Sequence, residues 1–180
     1  MNCFGYLEGV NGVKTGFTNG AGRCLVTSIE RDDFNIITVV LGADTKKIRT
    51  SDSIKLIEYT YKNYELIDLE EIVKQEFENW KAINGNRIQI YKAKNNNLNL
   101  SIGELQYSKY PVKKDEKADI WVDIDAKNFF EAPIEKNTII GNVQVLKNTT
   151  GIMDVAILNY QKIEKKGIWD YLLEFNKILF

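Results

Sequence analysis

The sequence contains no histidine among its 180 residues. Histidine is the usual base of serine and cysteine nucleophiles and a common ligand of zinc, so its absence removes several site types at once. A Ser-His-Asp triad, a Cys-His pair and a histidine metal site are all excluded.

Cysteine is scarce too, with only Cys3 and Cys24 present. The two are too far apart in sequence for a C-x-x-C redox or metal pair. Cys24 lies within an apolar run, which predicts a small buried side chain, and Cys3 near the first residue is predicted to be a free thiol. A disulfide between them is not favoured, because cysteine spacing alone does not establish a bridge.

Long apolar runs and a strong net charge are also missing. No run of about 18 apolar residues occurs, so no transmembrane helix is expected. The first residues, MNCFGYLEGVNG, have neither a basic start nor a long apolar stretch, so no signal peptide is expected in this chain. The net charge of −1 gives no broad positive field, which argues against a nucleic-acid partner.

The first third of the chain carries strand patterns followed by a helical pattern. Residues 9–18, 23–29 and 34–41 predict three antiparallel strands separated by glycine-rich or charged turns. Residues 34–41 (FNIITVVL) are nearly all apolar, which is typical of a strand covered on both faces. Residues 46–64 predict an amphipathic packing helix with apolar positions at Ile54, Ile57, Tyr61 and Tyr64.

The stretch 69–83 allows two interpretations. Leu69, Val73 and Phe77 fit one face of a helix capped by Asp68. Asn84-Gly85, however, lies between two apolar runs and is a strong hairpin signal, which favours strands on both sides of it. Strands are the preferred interpretation.

The rest of the chain has mostly strand patterns. Short strands are predicted over residues 98–102, 120–124, 139–146 and 152–158. Residues 68–162 therefore predict a small all-β sandwich or barrel. At the end, Ile168, Leu172, Phe175 and Leu179 fall on one helical face beside lysines, a pattern that suits either a helix in a membrane interface or a helix docked on its own core.

Lys14-Thr15-Gly16 is the one catalytic signature in the sequence. A tripeptide of common residues is weak by itself, since it also fits an exposed strand with a turn glycine. A lysine ammonium, a threonine hydroxyl and a side-chain-free glycine on a strand would nonetheless suit an extended ligand that ends in a carboxylate.

The residues around this tripeptide resemble the low-molecular-mass penicillin-binding proteins, the serine-type D-alanyl-D-alanine carboxypeptidases. The resemblance is carried by GVNGVKTGFT at 9–18, Ala21-Gly22, Cys24-Leu25-Val26 and VVLG at 39–42, and continues through Arg49 and the helix at 52–64. A second match, APIEKN at 132–137 followed by Ile140-Gly141, resembles a motif of the family's C-terminal β domain. The terminal amphipathic helix resembles the family's membrane anchor.

The resemblance implies an α+β fold in three parts. Residues 1–67 would be the C-terminal strands and helix of a penicillin-binding, β-lactamase-like transpeptidase domain. Residues 68–162 would be the C-terminal β domain, and residues 163–180 an amphipathic helix that associates with the membrane through residues 165–180. The full-length protein would act at the outer face of a bacterial cytoplasmic membrane.

The resemblance also implies roles for individual residues. Lys14 would help to activate a serine pair, Thr15 would bind the substrate carboxylate, and Gly16 would leave room for the substrate. Arg49 matches a family arginine that approaches the same carboxylate, although an arginine near a helix start is equally typical of a solvated surface. Phe17 stands where some relatives have histidine, which should alter fine specificity and leave the reaction class unchanged.

The substrate implied by the family is a peptidoglycan stem peptide ending in D-Ala-D-Ala. The reaction would form an acyl-enzyme, release D-alanine and hydrolyse the ester without a metal or cofactor. β-Lactams such as penicillin would inhibit the full-length protein by acylating its serine.

The family's other two motifs, S-x-x-K and Ser-x-Asn, are not present in this sequence. The five serines Ser28, Ser51, Ser53, Ser101 and Ser108 are not followed by lysine at the third position, and none begins Ser-x-Asn. We therefore expect a fragment or truncated product that is inactive alone, with the apolar run 34–41 uncovered on one side. The alternatives are a non-catalytic binding module, whose mark would be cooperative folding of residues 1–180 alone, and a β-lactamase-like hydrolase, against which the β domain and the tail argue.

Overall fold

The structure is a computed structural model that describes residues 7–179, and it confirms the predicted α+β class. Two compact units are present. The first is formed by the described residues of Met1–Ile67 together with Pro111–Asp115, and the second by those of Asp68–Tyr110 and Glu116–Phe180.

The first unit is built on a three-stranded antiparallel sheet in the order β1-β2-β3. Its strands are β1 (Val10–Thr18), β2 (Gly22–Arg31) and β3 (Phe34–Ala43), which confirms the three strands predicted there. Helix α1 (Lys46–Asn63) follows and packs against β2 and β3. Thr45 caps α1, its side chain accepting a hydrogen bond from Ile48 N–H at 3.1 Å.

Strand β3 is covered on one face only, so the prediction of cover on both faces is wrong for the described residues. Thr38 is buried, whereas Ile37 and Leu41 are each 71% exposed. The side chains of a strand alternate between the two faces, and α1 covers only one of them. The expectation that residues 34–41 lack cover on one side fits what the structure describes.

Residues 69–83 form a helix, and the preference for strands there is wrong. Helix α2 spans Leu69–Asn84 and buries Leu69, Val73 and Phe77 along one face. Asp68 caps it by accepting a hydrogen bond from Glu71 N–H at 2.9 Å. The Asn84-Gly85 pair makes no hairpin, because both residues have negative φ, −110° and −56°, and continue into a 3-10 turn. A type I′ hairpin turn needs positive φ at both positions.

The second unit contains the four-stranded antiparallel sheet β6-β11-β10-β8. Its strands are β6 (Leu100–Ile102), β8 (Ile120–Ala126), β10 (Thr138–Lys147) and β11 (Thr150–Asn159), which confirms the four strands predicted there. Two short strands, β5 (Gln89–Tyr91) and β9 (Phe129–Glu131), pair in parallel. In the first unit, strand β4 (Tyr64–Asp68) pairs with β7 (Lys109–Lys113), whose residues 111–113 belong to the same unit.

The APIEKN motif at 132–137 contributes two of its six residues to the second unit's core. Ala132 and Ile134 are buried in a cluster with Ile90 and Ile163. Ile134 and Ile163 also exchange backbone hydrogen bonds of 3.0 and 2.8 Å. This motif therefore acts through packing and backbone pairing.

Helix α3 (Ile168–Leu179) ends the described chain, and its apolar side chains Ile168, Trp169, Leu172, Leu173 and Phe175 are exposed. No helix among the described residues is both long and apolar enough to cross a membrane. Cys24 is a free thiol and is half-buried, where a small buried side chain was predicted. Cys3 lies outside the described residues.

Candidate functional site

Lys14, Thr15 and Gly16 lie side by side on β1, at the edge of the first unit's sheet. Strand β1 pairs only with β2 in the described part of the chain, through Lys14↔Val26, Thr15↔Leu25 and Gly16↔Cys24. The backbone on its other side is therefore directed away from the sheet. All three residues are exposed. An extended peptide could add to this edge by main-chain hydrogen bonds.

Lys14 and Thr15 direct their side chains to opposite faces of the sheet. Lys14 is paired with Val26, and Val26 with Val39, so these three lie on the face that α1 leaves uncovered. Thr15 is paired with the buried Leu25, on the face against which α1 packs. Lys14 Nζ donates a hydrogen bond to Thr15 O at 3.0 Å. The ammonium group is thus available on the uncovered face.

Gly16 is not required by the packing of the described residues. A Cβ atom added there would meet only Cys24 Cβ at 3.7 Å, an ordinary van der Waals contact. Its φ is not among the positive ones of the chain. The missing side chain keeps the outer surface of β1 open, as close approach of a ligand would require.

Arg49 is buried in α1, which excludes the alternative of a solvated helix-start arginine. Its side chain is 5% exposed, and its Nε atom is buried without a hydrogen-bond partner among the described residues. A buried guanidinium donor normally has an acceptor, so this group is able to bind one. Arg49 lies on the helix that packs on the Thr15 side of the sheet. No hydrogen bond or ion pair of the described chain links it to Lys14, Thr15 or Gly16.

A buried hydroxyl cluster next to Arg49 was not predicted from the sequence. Ser53 Oγ shares hydrogen bonds with Thr27 Oγ1 at 3.1 Å and Thr38 Oγ1 at 2.9 Å. Ser53 follows Arg49 by four residues and therefore lies on the same helical face. The sequence feature that could have revealed this cluster is a pair of threonines, Thr27 and Thr38, at inward-facing positions opposite each other on paired strands. The cluster anchors the helix that carries Arg49.

The structure therefore places three of the four predicted site residues on one strand edge and the fourth on the adjacent helix. Within residues 7–179, no group of three or more histidine, cysteine, aspartate or glutamate residues is arranged to hold a metal ion. The groups available for chemistry are one exposed ammonium, one hydroxyl, one open strand edge and one buried guanidinium. Together they suit the binding of an extended, anionic ligand.

Comparison with known protein families gives two matches in succession along the chain. Residues 3–45, which include β1 to β3, match the family model described as D-alanyl-D-alanine carboxypeptidase. Residues 77–165 match the one described as penicillin-binding protein 5, C-terminal domain. Arg49 lies between the two matched segments.

Among curated proteins, the chain is similar to D-alanyl-D-alanine carboxypeptidases. The protein DacF of Bacillus subtilis is 25% identical over 93% of this chain and 40% of its own length. DacC of Escherichia coli is 27% identical over 91% of this chain and again 40% of its own length. The chain thus spans about two fifths of the curated relatives it matches.

Solved structures show the same similarity. The carboxypeptidase DacD from Francisella tularensis superposes with a TM-score of 0.55 at 25% identity, over 89% of this chain and 38% of the other. Penicillin-binding protein 5 from Haemophilus influenzae, at 22% identity, has the same fold with a TM-score of 0.56 over 87% of this chain and 43% of the other. The chain therefore belongs to the low-molecular-mass penicillin-binding proteins of the D-alanyl-D-alanine carboxypeptidase family, and it corresponds to their C-terminal portion.

Proposed function

We propose that residues 10–18 are the substrate strand of a serine-type D-Ala-D-Ala carboxypeptidase that trims peptidoglycan stem peptides. The observation that carries the proposal is the position of Lys14-Thr15-Gly16 on the edge strand β1, exposed and unpaired on its outer side in the described chain. A stem peptide would lie antiparallel or parallel to this edge and pair with its backbone. Gly16 gives the ligand backbone room to approach.

Lys14 would assist proton transfer in this reaction. Its ammonium is a compact charge on the uncovered face, so it can approach a serine brought to that side of the sheet. The apolar side chains on the same face would be covered by the polypeptide that carries the serine. Burial of that surface and assembly of the catalytic groups would then occur together.

Thr15 and Arg49 would bind the carboxylate at the end of the substrate. The threonine hydroxyl donates one hydrogen bond, and the guanidinium offers a planar fork that matches a carboxylate. Arg49 has a buried Nε without a partner, and α1 packs on the face to which Thr15 points. A substrate carboxylate would satisfy that donor.

The first test is reaction of the purified chain with fluorescent penicillin. Acyl transfer needs the serine, its lysine base and the second serine in one constellation, and this sequence has no S-x-x-K or Ser-x-Asn motif. We therefore expect no labelled band after denaturing electrophoresis. A band that survives denaturation would overturn the proposal that these residues alone are inactive.

The second test is the DNA sequence that precedes the codon for Met1. In-frame S-x-x-K and Ser-x-Asn codons, in family order, would support the carboxypeptidase function for the longer product. In that product Arg49→Ala and Thr15→Ala should raise KM for a D-Ala-D-Ala peptide by about tenfold or more, since a hydrogen bond to a charged group contributes about 1.5–3 kcal/mol. D-Alanine release with an unchanged KM in both variants would refute the carboxylate role.

The alternative function is a non-catalytic binding module, which is favoured by the absence of S-x-x-K from the sequence. Unrelated codons upstream, together with cooperative folding of residues 1–180, would support it. The division into residues 1–67, 68–162 and 163–180 is part of the same proposal. The two compact units support its boundary after Ile67, while residues 163–179 belong to the second unit.

We also propose that α3 binds the membrane surface at the outer face of the cytoplasmic membrane. Trp169, Leu172 and Phe175 are 78%, 48% and 60% exposed in the described chain, although the helix belongs to the compact second unit. Lys166 at its start forms an ion pair with Glu174. An apolar helix face bordered by charged groups is typical of an interfacial helix.

Vesicle flotation tests this proposal. The chain should float with vesicles that contain phosphatidylglycerol, and the emission of Trp169 should shift to shorter wavelength. Leu172→Glu should abolish flotation, because it places a charge on the apolar face. Leu56→Glu makes the same change at an exposed leucine of α1, and it should leave flotation unchanged. Flotation of Leu172→Glu equal to that of the unmodified chain would exclude α3 as the anchor.

A further inference from the structure

A groove of about 810 Å³ lies within the second unit, far along the chain from the K-T-G strand. One wall is formed by Glu70, Lys74, Phe77 and Glu78 of α2, and the other by residues 100–108. Its size is in the range of sites that bind peptides or drug-sized ligands. No role in the carboxypeptidase proposal involves this groove.

The groove runs along an unpaired strand edge. Strand β6 is the outermost strand of the four-stranded sheet in the described chain. Gly103 N–H donates to Ala156 O at 2.8 Å, and Tyr160 N–H donates to Asn99 O at 2.9 Å. In an antiparallel ladder the residues between such bonding positions turn their backbone groups outward. The N–H and C=O groups of Leu100 and Ile102 are therefore directed away from β11, and both residues line the groove.

The wall is held at one end by the pairing of β6 with β11 and at the other by Tyr107 and Ser108, so the groove is preformed. Ser108 O accepts hydrogen bonds from Leu69 N–H at 2.8 Å and Glu70 N–H at 3.3 Å, which fixes the segment to the start of α2. Tyr107 Oη donates to Ile152 O of β11. A preformed groove spares the ordering cost of a mobile one, which favours binding.

The groove has an apolar base and an acidic rim. Phe77 and Leu100 are both buried side chains of its lining. Three glutamates and one lysine line it; Lys74 Nζ bonds Glu70 at 2.5 Å, and Lys81 Nζ, outside the lining, bonds Glu78 at 2.6 Å. Glu104 makes no ion pair within the residues that the structure describes. The rim thus keeps excess negative charge, which complements a basic ligand.

One polar atom of the lining lacks a partner. Ser101 Oγ is buried and makes no hydrogen bond within the described chain. Ser101 lies between Leu100 and Ile102, whose backbone groups point outward. A ligand that pairs with this edge would therefore approach a free hydroxyl as well as two sets of free backbone groups.

We propose that this groove binds an extended, lysine- or arginine-bearing segment of a partner protein by strand addition to β6. The segment's backbone pairs with Leu100 and Ile102, an apolar side chain packs on Phe77, and a basic side chain approaches Glu104. Backbone pairing supplies most of the affinity, and the acidic rim selects the sequence. The proposal stands independently of the K-T-G site.

The probe is a fluorescein-labelled peptide of about eight alternating lysine and valine residues, a length typical of one strand. Its binding to the full chain is followed by fluorescence anisotropy. The same peptide with N-methyl groups on every second amide, so that one strand edge has no N–H donors, should bind at least about tenfold more weakly. Each lost backbone pair removes a hydrogen bond. Replacing its lysines by glutamate should weaken binding to a similar extent.

Variants of the chain test the location. Ile102→Pro removes an N–H that points into the groove and leaves the ladder to β11 intact, so it should weaken binding, whereas Ile102→Val should not. Glu104→Lys should weaken binding by about two- to fivefold, the scale of one exposed ion pair. Glu76→Lys makes the same charge change on α2 outside the groove lining and should leave the Kd unchanged.

Three results would overturn the proposal. They are equal binding of the plain and N-methylated peptides, no measurable binding of the lysine–valine peptide, and equal weakening by Glu104→Lys and Glu76→Lys. Sedimentation that shows a dimer which Ile102→Pro dissociates, together with no binding of the peptide to that dimer, would assign the edge to a second copy of the chain instead. Weak binding by Ile102→Pro supports the proposal only if this variant unfolds at the same temperature as Ile102→Val. The comparison of the plain and N-methylated peptides tests the backbone pairing without any change to the chain.

Discussion

Gly141 allows β10 and β8 to lie side by side, and Gly141→Ala should break that pairing. Gly141 is opposite Ala126 in the β10–β8 ladder. A Cβ atom added to Gly141 would lie 2.4 Å from Asp125 O, 2.7 Å from Ala126 Cβ and 2.8 Å from Ala126 Cα. Two of these atoms belong to the backbone, so no rotation of a side chain relieves the clash.

The loss of stability caused by Gly141→Ala follows from the position of β10 within the sheet. Strand β10 is paired with β11 on one side and β8 on the other, so it cannot move away from β8 without disturbing β11. Overpacking of this kind costs about 1–3 kcal/mol, and a clash with rigid backbone belongs at the upper end, about 3 kcal/mol. For a unit of this size, such a loss lowers Tm by about 12 °C or more.

Tryptophan fluorescence during urea and thermal unfolding measures this loss, because Trp80, Trp121 and Trp169 all lie in the second unit. The matched control is Gly151→Ala in β11, where an added Cβ would meet only the Gln144 side chain, at 3.4 Å. The free energy of unfolding of that variant should be unchanged or higher by up to about 1 kcal/mol, because replacing glycine by alanine at a permissive site stabilises a protein by this amount. Equal midpoints for the two variants would refute the steric argument.

Three further predictions concern a helix cap, a buried hydroxyl and an exposed ion pair. Asp68→Ala should destabilise the second unit by about 1 kcal/mol because Glu71 N–H loses its acceptor, and Asp68→Asn should restore most of the loss. Ser53→Ala should cost about 1–3 kcal/mol, seen as faster amide exchange in β2, since two buried threonine hydroxyls lose a shared partner. Lys92 lowers the pKa of Glu131 in the folded chain by a side-chain hydrogen bond. The stabilisation from this ion pair is therefore fully present above the pKa of the unfolded carboxyl, and it is lost as the pH falls through the pKa of the folded carboxyl. The difference in Tm between the unmodified chain and Glu131→Gln should accordingly shrink towards zero in acid, and a constant difference would contradict the assignment.

The sequence predicted strands well where alternation or apolar runs had clear punctuation. It failed at 69–83, where two local signals conflicted. The buried positions Leu69, Val73 and Phe77 have helical spacing and Asp68 supplies a cap, but Asn84-Gly85 favoured a hairpin. The helix forms because its apolar face is buried by the rest of the unit, and tertiary packing of that kind outweighs a dipeptide preference.

The candidate site could be predicted in its residues and only partly in its geometry. The tripeptide and its family context placed Lys14 on a strand, but the opposite directions of Lys14 and Thr15 follow from the register with β2. The burial of Arg49 could not be predicted, because an arginine near a helix start is usually solvated. It is buried because Ser53, one turn later, is held by hydroxyls of the sheet.

The two motifs that match the same family contain glycines constrained by different physics. Gly141 is required by the fold, since Asp125 O and Ala126 occupy the space of its missing side chain. Gly16 meets no such obstacle, because Cys24 Cβ lies at an ordinary distance from an added methyl group and the outer side of β1 is open. Gly16 lies on an exposed edge between a threonine and an aromatic residue, and the fold does not need a glycine there. The proposed ligand, which would approach this strand, explains the missing side chain. Substitutions at Gly16 therefore probe binding with little effect on folding, whereas those at Gly141 probe folding alone.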